Sequence, residues 1–404
     1  MIRHRLHPKR LLTGTKVSTV NTRNVSAGKC IALLFVFFAA SSLRPVSAQD
    51  QKFPPQRQAA METAISKFMA ANHTPGVSVA VIEHGALVWS QGFGMANLED
   101  FVPASEFTLY RLASVSKSLT ATAAMQLWER GKLDLDAPIQ KYCPAYPQKP
   151  QTITTRELLG HLGGIRHYKS ETLDDPEISN TKYFDDPIAA GIKFFANDPL
   201  VAPPGTHFHY STQGYTLVGC VIEGASGQKY VDYMRENIFA PAGMSTTQQD
   251  NRFTIIPYRT SFYSKGEAGV ITNADFLDSS YKIPGGGWLS SADDMANFEI
   301  AILGDKLIKR ATRDVMWTPQ KPSDGSKNDY ALGWGTGDYA GVATVGHSGG
   351  QQGTSTFFII APAQAVGIVV LINVEGAEAS TLAIDLLKIV VGQETVSPKS
   401  TSKP

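Results

Sequence analysis

The chain has 404 residues, 43% hydrophobic and 18% charged, with 37 basic side chains against 36 acidic ones. That is enough apolar chain to bury a large core, and with no basic, aromatic-interleaved patch it excludes a nucleic-acid binder. Eight of the basic residues and none of the acidic ones fall in the first 48 positions, so the remainder carries 29 basic against 36 acidic and is net negative.

Residues 1–48 read as a signal peptide. A basic leader precedes an apolar run from Cys30 to Leu43, about 14 residues and too short to span a bilayer comfortably. Val46-Ser47-Ala48 ahead of Gln49 is a small-residue cleavage site. Export to the periplasm or the exterior is expected, with no membrane contact after cleavage; an uncleaved anchor is the alternative, given the length of the leader.

Pro54 to Asn72 has helical periodicity, and Gly76–Gly85 with Ala86–Gly94 read as two strands hinged at His84-Gly85. A long helix follows from Ser114 and closes at Gly131; Leu119 to Trp128 is apolar or small nearly all round, which implies burial on most sides. From about 139 to 320 come short helical pieces, many prolines and loops. Arg156–Leu162, Tyr215–Ala225 and Ser291–Leu303 are the clearest helices there, the last with Ser291 as N-cap and Asp293 and Asp294 in its first turn. Gly285-Gly286-Gly287 marks a tight backbone passage.

Strands return at Tyr330–Trp334, Val342–Gly346, Thr354–Ala361 and Val366–Val374, then a closing helix over Ala377–Val391 and a polar tail, 393–404, expected to be disordered. Strands from both ends must share one sheet. The prediction is an α+β fold: an antiparallel sheet lobe (54–112 and 329–392) flanked by helices, and a mostly helical lobe over about 113–328. The cleft between them is the natural site.

Three cysteines are too few for a disulfide scaffold, and Cys30 leaves with the leader. The apolar surroundings of Cys143 and Cys220 favour two buried thiols over a bridge, which export would permit. Neither has a partner at metal-ligand spacing, and His207 with His209 lacks a third ligand, so no metal and no cofactor are expected.

Ser114 and Lys117 are the candidate nucleophile and base. Three apart on a helix, they share one face, and a helix start offers free N–H groups where charge develops on an attacked carbonyl. A lysine on so apolar a helix is desolvated, hence neutral enough to take a proton. Ser-x-x-Lys also begins at Ser26, Ser179, Ser226, Ser279 and Ser400, but none of those opens a long buried helix.

Ser114-Val-Ser-Lys117, Tyr210-Ser-Thr212 and His347-Ser-Gly349 stand in that order, with Leu158-Leu-Gly-His-Leu-Gly-Gly-Ile165, Pro203-Pro-Gly-Thr206 and Gly285-Gly-Gly-Trp-Leu-Ser-Ser291 around them. Together they resemble the serine β-lactamase and penicillin-binding-protein superfamily, in its class C-like branch, over roughly 54 to 392. His161-Leu-Gly-Gly-Ile-Arg-His-Tyr168 and Tyr210-Ser-Thr-Gln-Gly-Tyr-Thr-Leu217 look closer to the mitochondrial serine β-lactamase-like proteins and their bacterial relatives.

The resemblance implies a β-lactamase/transpeptidase-like fold in which Ser114 attacks a carbonyl, Lys117 and Tyr210 shuttle the proton, and water hydrolyses the acyl-enzyme. A neighbouring lysine ammonium would lower the Tyr210 pKa for that duty. The implied oxyanion hole is the backbone N–H of Ser114 and of Gly350, with His347, Ser348, Gly349 and Thr212 along the substrate. Thr212 stands where the family usually has asparagine, and His347 where true β-lactamases have lysine. The expected activity is therefore ester or amide hydrolysis on a small molecule or peptide, with poor penicillin turnover. A penicillin-binding or D,D-carboxypeptidase-type protein and a catalytically silent binding module are the alternatives.

Overall fold

The computed structural model describes residues 53–170, 172–339 and 341–392. The predicted signal peptide and polar tail lie outside them.

Helix α1 (Pro55–Asn72) has proline in its first turn, where a missing N–H leaves nothing unpaired, and ends on left-handed His73. Strands β1 (Gly76–Glu83) and β2 (Ala86–Asn97) form the predicted hairpin, turning at His84 and Gly85, both at positive φ (53° and 73°) as a two-residue primed turn requires. After β3 (Val102–Pro103), three long helices carry the middle of the chain: α2 (Ser116–Glu129), α3 (Thr212–Ser226) and α4 (Ala292–Leu303), the last capped by Ser291 as predicted. The C-terminal part supplies β4 (Gly335–Tyr339), β5 (Val342–Gln351), β6 (Thr354–Ala361), β7 (Val366–Ile372) and α5 (Ala379–Val390).

The seven strands make one antiparallel sheet in the order β3-β2-β1-β7-β6-β5-β4. Strands from both ends of the chain meet at its centre, in register from Val77 opposite Ile372 to Ile82 opposite Gly367. Strand alternation sorts the faces. Val79, Val81, Ile359, Ile368 and Val370 pack with α1 and α5, whereas Ala80, Ile82, Phe358, Ile360, Val369 and Leu371 pack with α2, α3 and α4. Covered on both sides, the central strands read as continuous apolar runs.

Two expectations are corrected. The strand expected over Tyr330–Trp334 does not form; the ladder begins at Gly335, and Tyr330 makes one isolated bridge. Ala331, Leu332 and Trp334 are fully buried, and Gly333, at φ 82°, lies so close to α2 that a Cβ would come 2.3 Å from that of Ala121. The run is apolar because it is pressed on a helix. The second correction is the cysteines: Cys143 and Cys220 are bonded, with Cα atoms 5.4 Å apart. One turn beyond Cys220, Gly224 packs so tightly on Tyr142 that a Cβ would meet its carbonyl oxygen at 1.8 Å, and this approach brings the cysteines within bridging distance.

Candidate active site

Ser114 occupies a 3-10 turn, Ala113–Val115, that feeds α2. Ala113 is left-handed at φ 47°, a conformation costing about 1–3 kcal/mol that persists only where neighbours enforce it. They do so here. The Leu112 N–H donates to Trp288 O (2.8 Å), and the Leu112 and Arg111 carbonyls accept from Thr356 and Thr354 hydroxyls, each at 2.9 Å. The nucleophile turn is thereby tied to β6.

Helix α2 is buried from Ser116 to Leu127, and Lys117 has no exposed surface. Its Nζ lies 2.9 Å from Ser114 Oγ, 3.2 Å from Thr212 Oγ1 and 2.8 Å from Gly285 O. None is a carboxylate. Burial, reinforced by the charge of Lys282, holds its pKa well below the ordinary lysine value. A neutral amine has two hydrogens and one lone pair, which match these three partners: donors to Gly285 O and Thr212 Oγ1, acceptor for the serine hydroxyl.

Tyr210 immediately precedes the N-cap of α3. Ser211 Oγ accepts from the Gly214 N–H (2.9 Å) and donates to Arg166 O (2.6 Å), while Arg166 pairs with Glu177 and Asp198, so the loop beneath the tyrosine is fixed. His161 and His167, expected to orient loops, accept at Nδ1 from the Ser211 and Thr212 N–H groups (3.1 and 3.3 Å). The Tyr210 ring centre lies 4.2 Å from that of His161 and 4.8 Å from Lys117 Nζ. Burial pushes the phenol pKa above its ordinary value, with Ser114 pulling partly the other way. The lowering expected from a lysine ammonium is absent, because the buried lysine is itself driven toward its neutral form.

His347, on β5, is also neutral. Its Nδ1–H donates to Ser348 O (2.6 Å) and its Nε2 accepts from the Tyr330 hydroxyl (2.8 Å), while burial depresses its pKa to about 3. Both nitrogens are engaged, and the box offers no cation. Ser348, Gly349 and Gly350 lie on the part of β5 past Gly346, where β4 no longer pairs and one strand edge is open. A Cβ on Gly349 would meet Leu112 O at 2.3 Å and Ser114 N at 3.2 Å, so strand and nucleophile turn touch only because the residue is glycine.

Gly350 faces open space and, with Ser114, Thr212, Gly285, Lys282 and Gln351, lines a cavity of about 470 Å³. A second cavity of about 270 Å³ is lined by Tyr210, Tyr330, His347 and Ser348. All eight residues singled out in the sequence therefore converge. Sequence reasoning missed three participants: the Gly285 carbonyl, Tyr330 and Lys282. Only the first left a trace, in the triple glycine.

The chain is similar to known proteins. A beta-lactamase family model matches residues 61–391. The human mitochondrial serine beta-lactamase-like protein LACTB is 32% identical over 378 residues, covering 71% of this chain and 69% of that protein. The octameric penicillin-binding protein homologue from Pyrococcus abyssi superposes with a TM-score of 0.71 at 28% identity, over 83% of this chain and 78% of that one. D-amino acid amidase from Ochrobactrum anthropi, at 22% identity, shares the fold with a TM-score of 0.72 over 84% of this chain and 100% of its own. The chain thus has the β-lactamase/transpeptidase-like α+β fold, and it belongs to the beta-lactamase family within the serine β-lactamase and penicillin-binding-protein superfamily.

Proposed function

We propose that this protein is a serine hydrolase that cleaves an ester or amide through an acyl-enzyme and turns over penicillins poorly. The observation that carries the reading is the buried Lys117 amine, 2.9 Å from Ser114 Oγ and without a carboxylate partner among the described residues. Neutral Lys117 takes the hydroxyl proton as Ser114 Oγ bonds to the carbonyl carbon. The N–H groups of Ser114 and Gly350 receive the oxyanion, in a site where the strand edge and the nucleophile turn are held side by side.

Tyr210, protonated because its pKa is raised, passes a proton to the leaving group and is reprotonated through Lys117. Water then attacks the acyl-enzyme by the reverse relay. Two features argue for poor β-lactam hydrolysis. Thr212 accepts from Lys117 and has no side-chain amide, and neutral His347 gives a penicillin carboxylate no charge to pair with.

Intact-mass measurement of wild type beside Ser114→Ala, after exposure to a fluorophosphonate and separately to a penicillin, tests the reading. A fluorophosphonate adduct that disappears with Ser114→Ala is expected. A long-lived penicillin adduct would point instead to a penicillin-binding protein, and no adduct on folded protein would overturn the enzyme reading.

A further inference from the structure

Lys282 helps to hold down the Lys117 pKa but transfers no proton and touches no reacting atom in the chemistry above. It lies just before the short helix Ile283–Gly286, whose Gly285 carbonyl holds Lys117, and it lines the same cavity as Ser114. Only 4% of it is exposed. Its ammonium carries three donors, yet it makes one side-chain hydrogen bond, to Tyr168 Oη at 3.0 Å, and no ion pair among the described residues. The Tyr168 and Tyr281 rings, 5.3 and 5.5 Å from Nζ, hold it in place without neutralising it.

Gln351 makes a second, independent observation. It lines the same cavity from β5, and its Nε2 is buried with no hydrogen-bond partner among the described residues. Buried donors left unused are costly, so the spare hydrogens of the Lys282 ammonium and the Gln351 amide around one cavity describe the complement of an acceptor-rich ligand. The cavity's own carboxylates are placed otherwise: Glu375 accepts from the Gly353 N–H at 3.1 Å, and Asp275 is exposed.

Position says which part of a substrate would sit there. Tyr210, the proton donor to the leaving group in the reading above, lines the other, smaller cavity. The acyl portion is left for the cavity of Lys282 and Gln351, about 470 Å³ and within the range of small-molecule sites. Resting on the acyl-transfer reading of Ser114, we propose that this cavity selects acyl groups ending in a carboxylate, with Lys282 as counter-ion and Gln351 as second donor.

The test compares two esters with one leaving group, p-nitrophenyl butyrate and mono-p-nitrophenyl glutarate, on the full chain. The quantity read is the ratio of their kcat/KM values, which cancels any general effect on Ser114. Wild type should favour the glutarate ester, and Lys282→Met should lower the ratio at least about 10-fold, chiefly through KM, as loss of a charge-assisted bond predicts. Lys282→Arg should restore much of it, and Gln351→Leu should lower it less. An unmoved ratio, or equal losses on both esters, overturns the proposal.

Protection keeps the question open to test if Lys282→Met misfolds. Glutarate should slow fluorophosphonate labelling of wild-type Ser114, and glutaramide should not; equal protection by the two overturns the site. Should Ser114 take no label at all, the acyl-transfer reading fails by itself. Glutarate binding to wild type by calorimetry then decides the anion site separately, and an absence of heat there sinks it.

Discussion

Replacing Glu299 with methionine should stabilise the protein, and by more at neutral than at acidic pH. Glu299 lies on α4, has no exposed surface, and neither of its carboxyl oxygens has a hydrogen-bond partner among the described residues. Gly367 on β7 makes the space, since a Cβ there would fall 1.8 Å from Glu299 Oε2. Leaving such a polar group unpartnered costs about 1–3 kcal/mol even when it is neutral.

Ionisation adds a pH-dependent part. Burial raises the folded-state pKa well above the ordinary carboxyl value. With the unfolded value at about 4.3, stability is undiminished below that pH; above it the unfolded chain releases a proton that the folded chain keeps. Stability then falls by about 1.4 kcal/mol per pH unit until the folded pKa is passed, or up to about 2.7 kcal/mol between pH 5 and pH 7. Methionine, unbranched and of similar length, removes both contributions. Urea unfolding followed by circular dichroism at the two pH values measures the difference. Equal gains at both, or a loss at both, would show that the carboxyl has a partner or that the site cannot hold an apolar chain.

Four further outcomes are expected. Lys117→Arg, which brings a permanent charge and cannot deprotonate, should slow acylation of Ser114 by about 10²–10⁴-fold. In wild type the pH profile of kcat/KM should rise through a Lys117 pKa below the ordinary lysine value; a rise only at the free-lysine pKa would refute the assignment. Tyr330→Phe removes the donor to His347 Nε2 and should destabilise by about 1–3 kcal/mol in chemical denaturation, while an unchanged midpoint would mean the imidazole is satisfied otherwise. The bond between Cys143 and Cys220 spans 77 residues, so removing it should cost up to about 4.5 kcal/mol on the chain-entropy account, read as the change in urea midpoint on replacing both with alanine. No change in midpoint would count against the bridge.

What the sequence revealed and what it hid follow the range of the interactions. The central strands were legible because both faces are covered, so Thr354–Ala361 and Val366–Ile372 could only be core. Ser291 capping α4 is a local signal and was read correctly. Tyr330–Trp334 misled because burial against α2 writes the same apolar run as a strand, and Gly333, the residue that breaks it, looks the same in either setting. Ser114, Lys117, Tyr210 and His347 were found through ordered boxes. Lys282 and Tyr330 were not, since their meaning lies in contacts across the fold with residues far away in sequence. The neutral state of His347 was equally hidden, being set by Ser348 O and Tyr330. Apolar neighbours could not separate thiols from a bridge at Cys143 and Cys220, which is a matter of distance.

The meeting of β1 with β7 at the centre of the sheet bears on how the protein comes into being. A ribosome completes β1 before any of β7, so the first strand waits unpaired on that side while everything between them is made. Contacts so distant along the chain make folding slow and leave apolar surface open meanwhile. Loss of the last strand and helix would remove the middle of the sheet, and with it the support of the nucleophile turn, although that turn lies far upstream. Since α1 and α5 pack in one core, a permuted chain in which the C-terminus is spliced to the N-terminus and new ends open in an exposed loop would make β7 and β1 neighbours in time as well as in space.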